Sequence, residues 1–206
     1  MSIIVEHEKR RREILERALD LFVEEGYGAV TLQKIAGRCG ITRTTLYIYF
    51  KNKKEIFNYS IKQFLEGLEA DILKIRRDKR FTNINKLRKI LTEIMERVEE
   101  NRRLLLVLLD YLTHLPKSGK TPDYQVRRRT VRLRHILATV VIDGIRSGEI
   151  AAVKIRDADN LLYSLIETAI FRLTVLRRDN VDDVKQAADL AIKNLQFPQN
   201  KLTAQG

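Results

Sequence analysis

The sequence predicts an all-α protein with nine helices in two domains: an N-terminal three-helix domain and a C-terminal six-helix domain. Three observations predict it. Apolar residues recur every three or four positions from Glu13 to Leu195. Most of the nine glycines and three prolines fall where that rhythm should break. No stretch alternates as a strand, and Ile150 to Ile155 is too short to support a sheet. At 206 residues the chain is long enough for one large or two small domains with a sizeable core.

The first helix reads from Glu13 to Glu24, with Ile14, Leu15, Ala18, Leu21 and Phe22 at helical spacing, and ends in Glu25-Gly26-Tyr27-Gly28. Thr31 is the N-cap of a second helix, Leu32 to Arg38, and Gly40 supplies its left-handed C-cap. Thr42 caps a third helix running to about Phe50. Lys51-Asn52-Lys53 then breaks the chain before a long helix from Lys54 to Arg77. The remaining helices read as Asn83 to Glu99, Arg102 to Leu115, Pro122 to Ser147, Arg156 to Arg178 and Val181 to Leu195. Residues 1–53 are therefore expected as one domain and residues 54–206 as the other, with 54–77 connecting them.

Composition narrows the function classes. The formal charge of +12 favours polyanionic partners. Residues 1–55 carry eleven Lys/Arg against eight acids, so +9 lies beyond them, and charge alone does not mark a nucleic-acid-binding end. A single cysteine excludes an internal disulfide and a cysteine-based zinc site, and Cys39 is expected as a small core residue. No apolar run approaches the ~18 residues of a membrane span, and residues 6–12 are too charged for a signal peptide, so a cytoplasmic location is expected. His7, His114 and His135 lack metal-ligand spacing, and Glu93, Glu96, Glu99 and Glu100 read as a solvated helix face. Neither a Gly-rich phosphate loop nor a nucleophile elbow occurs, so no cofactor is expected and enzymatic activity is disfavoured.

The informative stretch is Thr31 to Lys53, TLQKIAGRCGITRTTLYIYFKNK. A small core needs Leu32, Ile35, Ala36, Cys39, Ile41, Leu46 and Phe50. It does not need Arg43, Thr44, Thr45, Tyr47, Tyr49 and Lys53, which are donors suited to phosphates and base edges. Two short helices joined by a tight turn form a helix-turn-helix, whose second helix enters the major groove of DNA. Arg43 can donate two bonds to guanine, and Thr44 or Thr45 can meet a thymine methyl or a phosphate. Tyr47, Tyr49 and Lys53 are placed for phosphates, and Thr31 sits at a helix N-terminus, a natural phosphate seat. Lys9-Arg10-Arg11-Arg12 precedes the expected first helix and is either an arm that reaches DNA or a solubilising charge run.

From Arg12-Glu13-Ile14-Leu15 through Phe57 the chain resembles the N-terminal domain of TetR-family transcriptional regulators. The landmarks are Ala18, Leu21-Phe22, Glu25-Gly26-Tyr27, Thr31, Ile35-Ala36, Gly40-Ile41-Thr42, Thr45-Leu46-Tyr47, Tyr49-Phe50 and Lys53. The resemblance implies DNA contacts from Thr31, Leu32, Gln33, Thr42, Arg43, Thr44, Thr45, Tyr47, Tyr49 and Lys53. Many members carry Gly where this chain has Thr44, so the operator sequence is not carried over with the family.

One helix-turn-helix offers few base contacts, so a homodimer reading two half-sites of a double-stranded operator is expected. The last two helices are the candidate interface, through Leu161, Leu165, Ile166, Ala169, Ile170, Leu173, Val184, Ala188, Ala191 and Leu195. The resemblance further implies a small-molecule effector enclosed by the middle helices, whose binding moves the helix from Lys54. Polar or aromatic candidates for effector contact are Tyr111, His114, Arg134, His135, Tyr163, Glu167, Thr168 and Arg172. The basic C-terminal part suits an anionic or amphipathic effector such as an acyl thioester. Solubility or heat stability is the preferred explanation of that charge. The leading expectation is a ligand-responsive repressor. An activator, or a regulator controlled by a protein partner, is the alternative.

Overall fold

Gly26 breaks the first helix. Its backbone sits at φ 81, ψ 151, a region that L side chains scarcely visit, and the chain resumes a short helical turn beyond it. In the computed structural model, which describes residues 2–113 and 124–196, nine helices are found among the described residues. They are α1 (Ser2–Ala29), α2 (Leu32–Cys39), α3 (Arg43–Tyr49), α4 (Lys53–Arg77), α5 (Asn83–Glu100), α6 (Arg102–Thr113), α7 (Tyr124–Arg146), α8 (Ile155–Thr174) and α9 (Asp182–Leu195). The all-α expectation holds. The only sheet-like pairing among the described residues is an isolated bridge between Ile150 and Gln196.

Two boundaries differ from expectation. α1 begins at Ser2, so the basic run Lys9 to Arg12 lies within a helix and is not an extended arm. Its residues show no apolar stripe, and tertiary contacts hold it instead. The Arg11 guanidinium lies 4.0 Å from the Tyr59 ring centre and 4.9 Å from that of Phe50. α8 stops at Thr174, short of Arg178, where Arg177 takes a left-handed φ of 55.

The chain forms two compact units, Met1–Glu66 with Asn101–Asp123 and Gly67–Glu100 with Tyr124–Gly206. The first therefore takes in α6 and the start of α4 as well as the residues 1–53 expected to form a domain. Its core buries Ile14, Ala18 and Phe22 of α1 along with Ile35, Ala36, Leu46 and Phe50. An aromatic cluster joins Tyr27, Phe57 and Tyr111, with ring centres 4.8–5.4 Å apart. Beside it the Tyr27 amide donates to Asp110 Oδ2 at 2.6 Å, and Arg103 pairs with Asp20 at 2.5 Å, so α6 is bound to α1 by charge as well as by apolar area.

The second unit is built around α5, whose Leu87, Ile90, Leu91, Ile94 and Met95 are all buried. Polar side chains from other elements complete its ends. The Glu149 carboxylate accepts from the Ile84 amide and from Asn83 Nδ2, capping α5 from the loop after α7. Glu99 accepts from the Val181 amide at 2.7 Å and from Lys185 at 2.8 Å, while Arg88 pairs with Asp189 at 2.6 Å, which secures α9 along α5.

Candidate nucleic-acid interface

The recognition segment is assembled from caps and one small residue. The Thr31 hydroxyl accepts from the Lys34 amide at 3.3 Å and starts α2, and Gly40 at φ 66 ends it while its amide returns to Ala36 and Gly37 carbonyls. The Thr42 hydroxyl accepts from the Thr45 amide at 3.0 Å and starts α3. Ala36 and Leu46 are fully buried, so the two helices meet closely. Outside, Arg38 clasps Glu24 through two bonds and holds that carboxyl below its usual range, while Lys34 pairs with Glu25 at 2.5 Å. α2 is thereby fixed to α1.

With Leu46 facing in, the rest of α3 faces out. Arg43, Thr44 and Tyr47 are exposed, Thr45 and Tyr49 partly so. Arg43 Nε and Nη2 donate to the Tyr47 hydroxyl at 3.2 and 2.8 Å, and its guanidinium lies 5.4 Å from the Tyr47 ring centre. Tyr49 stacks on His7 of α1 at 4.6 Å. Gln33 and Thr31 are exposed at the start of α2, with Leu32 half-buried. Sequence reasoning misses Ile48. It is 69% exposed, an apolar side chain on the outward face with no core to serve. Its signal is its register, between Tyr47 and Tyr49 and out of phase with Leu46 and Phe50.

Lys53 does not adopt the expected phosphate-facing geometry. Its ammonium donates to the carbonyls of Tyr27, Gly28 and Val30, and burial pulls it below its ordinary value. Cys39 is half-buried, and burial pushes its thiol up, away from the reactive thiolate.

The effector candidates disperse. Tyr111 is a buried member of the aromatic cluster in the first unit, and His114 lies outside the described residues. His135 and Glu167 are exposed, Thr168 Oγ1 donates to the Ser164 carbonyl, and Arg172 pairs with Asp183. Among the described candidates Arg134 and Tyr163 come together, with the Glu167 carboxylate near enough to act on the charge of both. The guanidinium lies 5.0 Å from the Tyr163 ring centre and pairs with Asp159 at 2.6 Å, while burial raises the phenol. Asp159 is 9% exposed and is not singled out by the sequence. Its Oδ1 is buried with no hydrogen-bond partner.

The interface candidates need a larger correction. Ile166, Ala169, Leu173, Val184, Ala188 and Leu195 are buried within their own protomer, because they form the faces by which α8 and α9 pack into the second unit. Leu161 is exposed, and Leu165, Ile170 and Ala191 are half-buried. The exposed large apolar side chains on this part of the chain are Ile155, Leu161, Phe171, Val175, Leu176 and Leu190.

Two short helices packed through Ile35, Ala36 and Leu46, with the second otherwise facing solvent, form the helix-turn-helix of a DNA-binding protein. Residues 14–59 match the family model described as bacterial regulatory proteins, tetR family. The Bacillus subtilis fatty acid metabolism regulator protein is 26% identical over 163 residues, 77% of this chain and 80% of that protein. The Shigella flexneri regulator AcrR is 33% identical over 50% of this chain, and the Staphylococcus aureus negative regulator of the biofilm operon, IcaR, 33% over 42%. Those two matches span less than half the length of either relative, 49% and 46%. Among solved structures, a TetR regulator from Haloarcula marismortui superposes with a TM-score of 0.77 at 21% identity, over 92% of this chain and all of its own. PfmR from Thermus thermophilus does so at 0.70 and 22%, over 87% and 94%, and both establish the fold alone. Through residues 14–59 the chain is similar to TetR-family transcriptional regulators, and its whole fold superposes on theirs. No described helix is long and apolar enough to cross a membrane.

Proposed function

We propose that this regulator is a repressor that binds a palindromic operator as a homodimer and leaves it when a small molecule binds the second unit. The observation that carries the DNA half is the outward face of α3, where Arg43, Thr44, Tyr47 and Ile48 stand exposed around a buried Leu46. Arg43 reads guanine, Ile48 and the threonine methyl groups suit thymine methyls, and Tyr47, Tyr49 and Thr31 position the phosphates. Dimerisation uses the exposed apolar side of α8 and α9, because two half-sites need a two-fold axis and those side chains have no cover within the protomer.

The effector half is supported by Asp159. A buried carboxylate oxygen without a partner is costly, and a ligand donor would complete it beside Arg134 and Tyr163. The relative matched over most of both chains regulates fatty acid metabolism, and we extend that theme to the genes controlled here. The experiment selects duplexes from a random pool with purified protein, then adds a long-chain acyl thioester to the complex. Selection of an inverted repeat and its release by the thioester is the expected result. A selected site without two-fold symmetry would remove the dimeric reading, and a complex indifferent to acyl thioesters would remove the effector class.

A further inference from the structure

Lys53 is the first residue of α4, and its ammonium is saturated. It lies 2.8 Å from the Tyr27 carbonyl, 3.0 Å from that of Gly28 and 2.9 Å from that of Val30. An ammonium has three protons, and three acceptors take them all. The Tyr27 ring adds a cation–π contact at 4.7 Å. The acceptors are carbonyls at the end of α1, where the helix leaves such groups without partners and the backbone dipole favours a cation.

The positions of these groups along the chain give the contact its meaning. Val30 immediately precedes Thr31, the N-cap of α2, and Lys53 follows the loop that leaves α3. The contact therefore joins the two ends of the 31–52 segment, the whole helix-turn-helix. Asn52 and Glu55 reinforce the second end, since Asn52 Oδ1 accepts from the Glu55 amide at 2.8 Å and Glu55 returns to the Lys51 amide at 2.6 Å. Asp110 reinforces the first through the Tyr27 amide. Each end is held by its own bonds, and Lys53 is the side chain that holds them to each other.

We infer that Lys53 is a positioning residue that closes the helix-turn-helix at its base, and not the phosphate contact its place in the motif suggests. The inference rests on the DNA-binding reading of α3, and the two fail differently. Removing a phosphate-bound cation from each protomer flattens the dependence of log K on log salt by about 0.9 per phosphate and leaves the free protein's melting temperature unchanged. Removing a clamp leaves that slope alone, weakens binding at every salt concentration and lowers the melting temperature.

The test compares wild type, Lys53→Met and Lys53→Gln on a duplex selected from a random pool, across a salt series, with thermal unfolding of the free proteins. Lys53→Met is expected to bind about tenfold more weakly with a parallel salt line. Lys53→Gln, which retains two donors, is expected to melt between Met and wild type and provides the binding data if the Met protein does not fold. A flattened salt line with unchanged melting overturns the inference. If wild-type protein selects no duplex, the reading of α3 fails, and the order of melting temperatures still decides the clamp.

Discussion

Gly26→Ala isolates a single backbone conformation. At φ 81, ψ 151 the residue lies in a region nearly closed to L side chains, and holding alanine there costs about 1–3 kcal/mol. The alanine methyl would stand 3.4 Å from Asp110 Oδ2, an ordinary contact, so steric overlap adds nothing and the cost is conformational. The backbone can escape only by rotating the Tyr27 amide away from Asp110, which gives up a bond to a charged group worth about 1.5–3 kcal/mol. Either route costs about 2 kcal/mol. With a urea slope of about 2 kcal/mol per molar, the unfolding midpoint should fall by about 1 M. Gly37→Ala is the control. It lies in α2 with nothing within 4 Å of the added methyl, so it should gain up to about 1 kcal/mol from helix propensity. Circular dichroism in urea reads both. Equal midpoints for Gly26→Ala and wild type would refute the strain argument, and a destabilised Gly37→Ala would refute the assignment of open space around α2.

Arg43→Ala should weaken binding to the selected duplex by about 1–3 kcal/mol and relax its base preference at one position, read by gel shift on single-base variants. Replacing both Phe171 and Leu190 with Glu puts charge on exposed side chains only, so helicity should stay and sedimentation should show monomers; an intact dimer would move the interface elsewhere. Burial raises the Tyr27 phenol to about 12, with Tyr111 adding to the shift, while an unfolded tyrosine titrates near 10. Between those values the unfolded chain loses its proton first, so stability should be intact below about pH 10 and fall as pH rises from about 10 to 12. Urea midpoints across that range should decline less in Tyr27→Phe.

The fold was legible wherever local chemistry decides structure. Thr31, Gly40 and Thr42 cap their helices as their types require, and Gly26 breaks α1 where the sequence reads as a turn. The first turns of α1 were not legible, because Glu6 to Arg12 carry no apolar rhythm. What holds them is His7 on Tyr49 and Arg11 over Phe50 and Tyr59, partners far along the chain. The candidate site divides in the same way. Arg43 and Tyr47 are exposed because Leu46 fixes the register of α3, and register is readable. Lys53 looks free in the sequence because the carbonyls that engage it carry no letter there. On α8 and α9 both faces are apolar, so composition could not say that Ile166 and Leu173 pack inward while Leu161 and Phe171 stay out.

The pairing of Arg43 with Tyr47 bears on fidelity as much as on affinity. Bound to a phenol one turn away, the guanidinium is already partly immobilised, so docking on DNA freezes fewer rotors than a loose arginine would. The same pairing sets a threshold. To reach a base edge, Arg43 has to exchange the phenol oxygen for acceptors at least as good, and guanine presents two in the right fork. Other bases offer less than what is given up. If α3 reads DNA as proposed, the arginine would keep its tyrosine on non-cognate duplex, and the protein would rest on phosphates and move along until a guanine makes the exchange favourable.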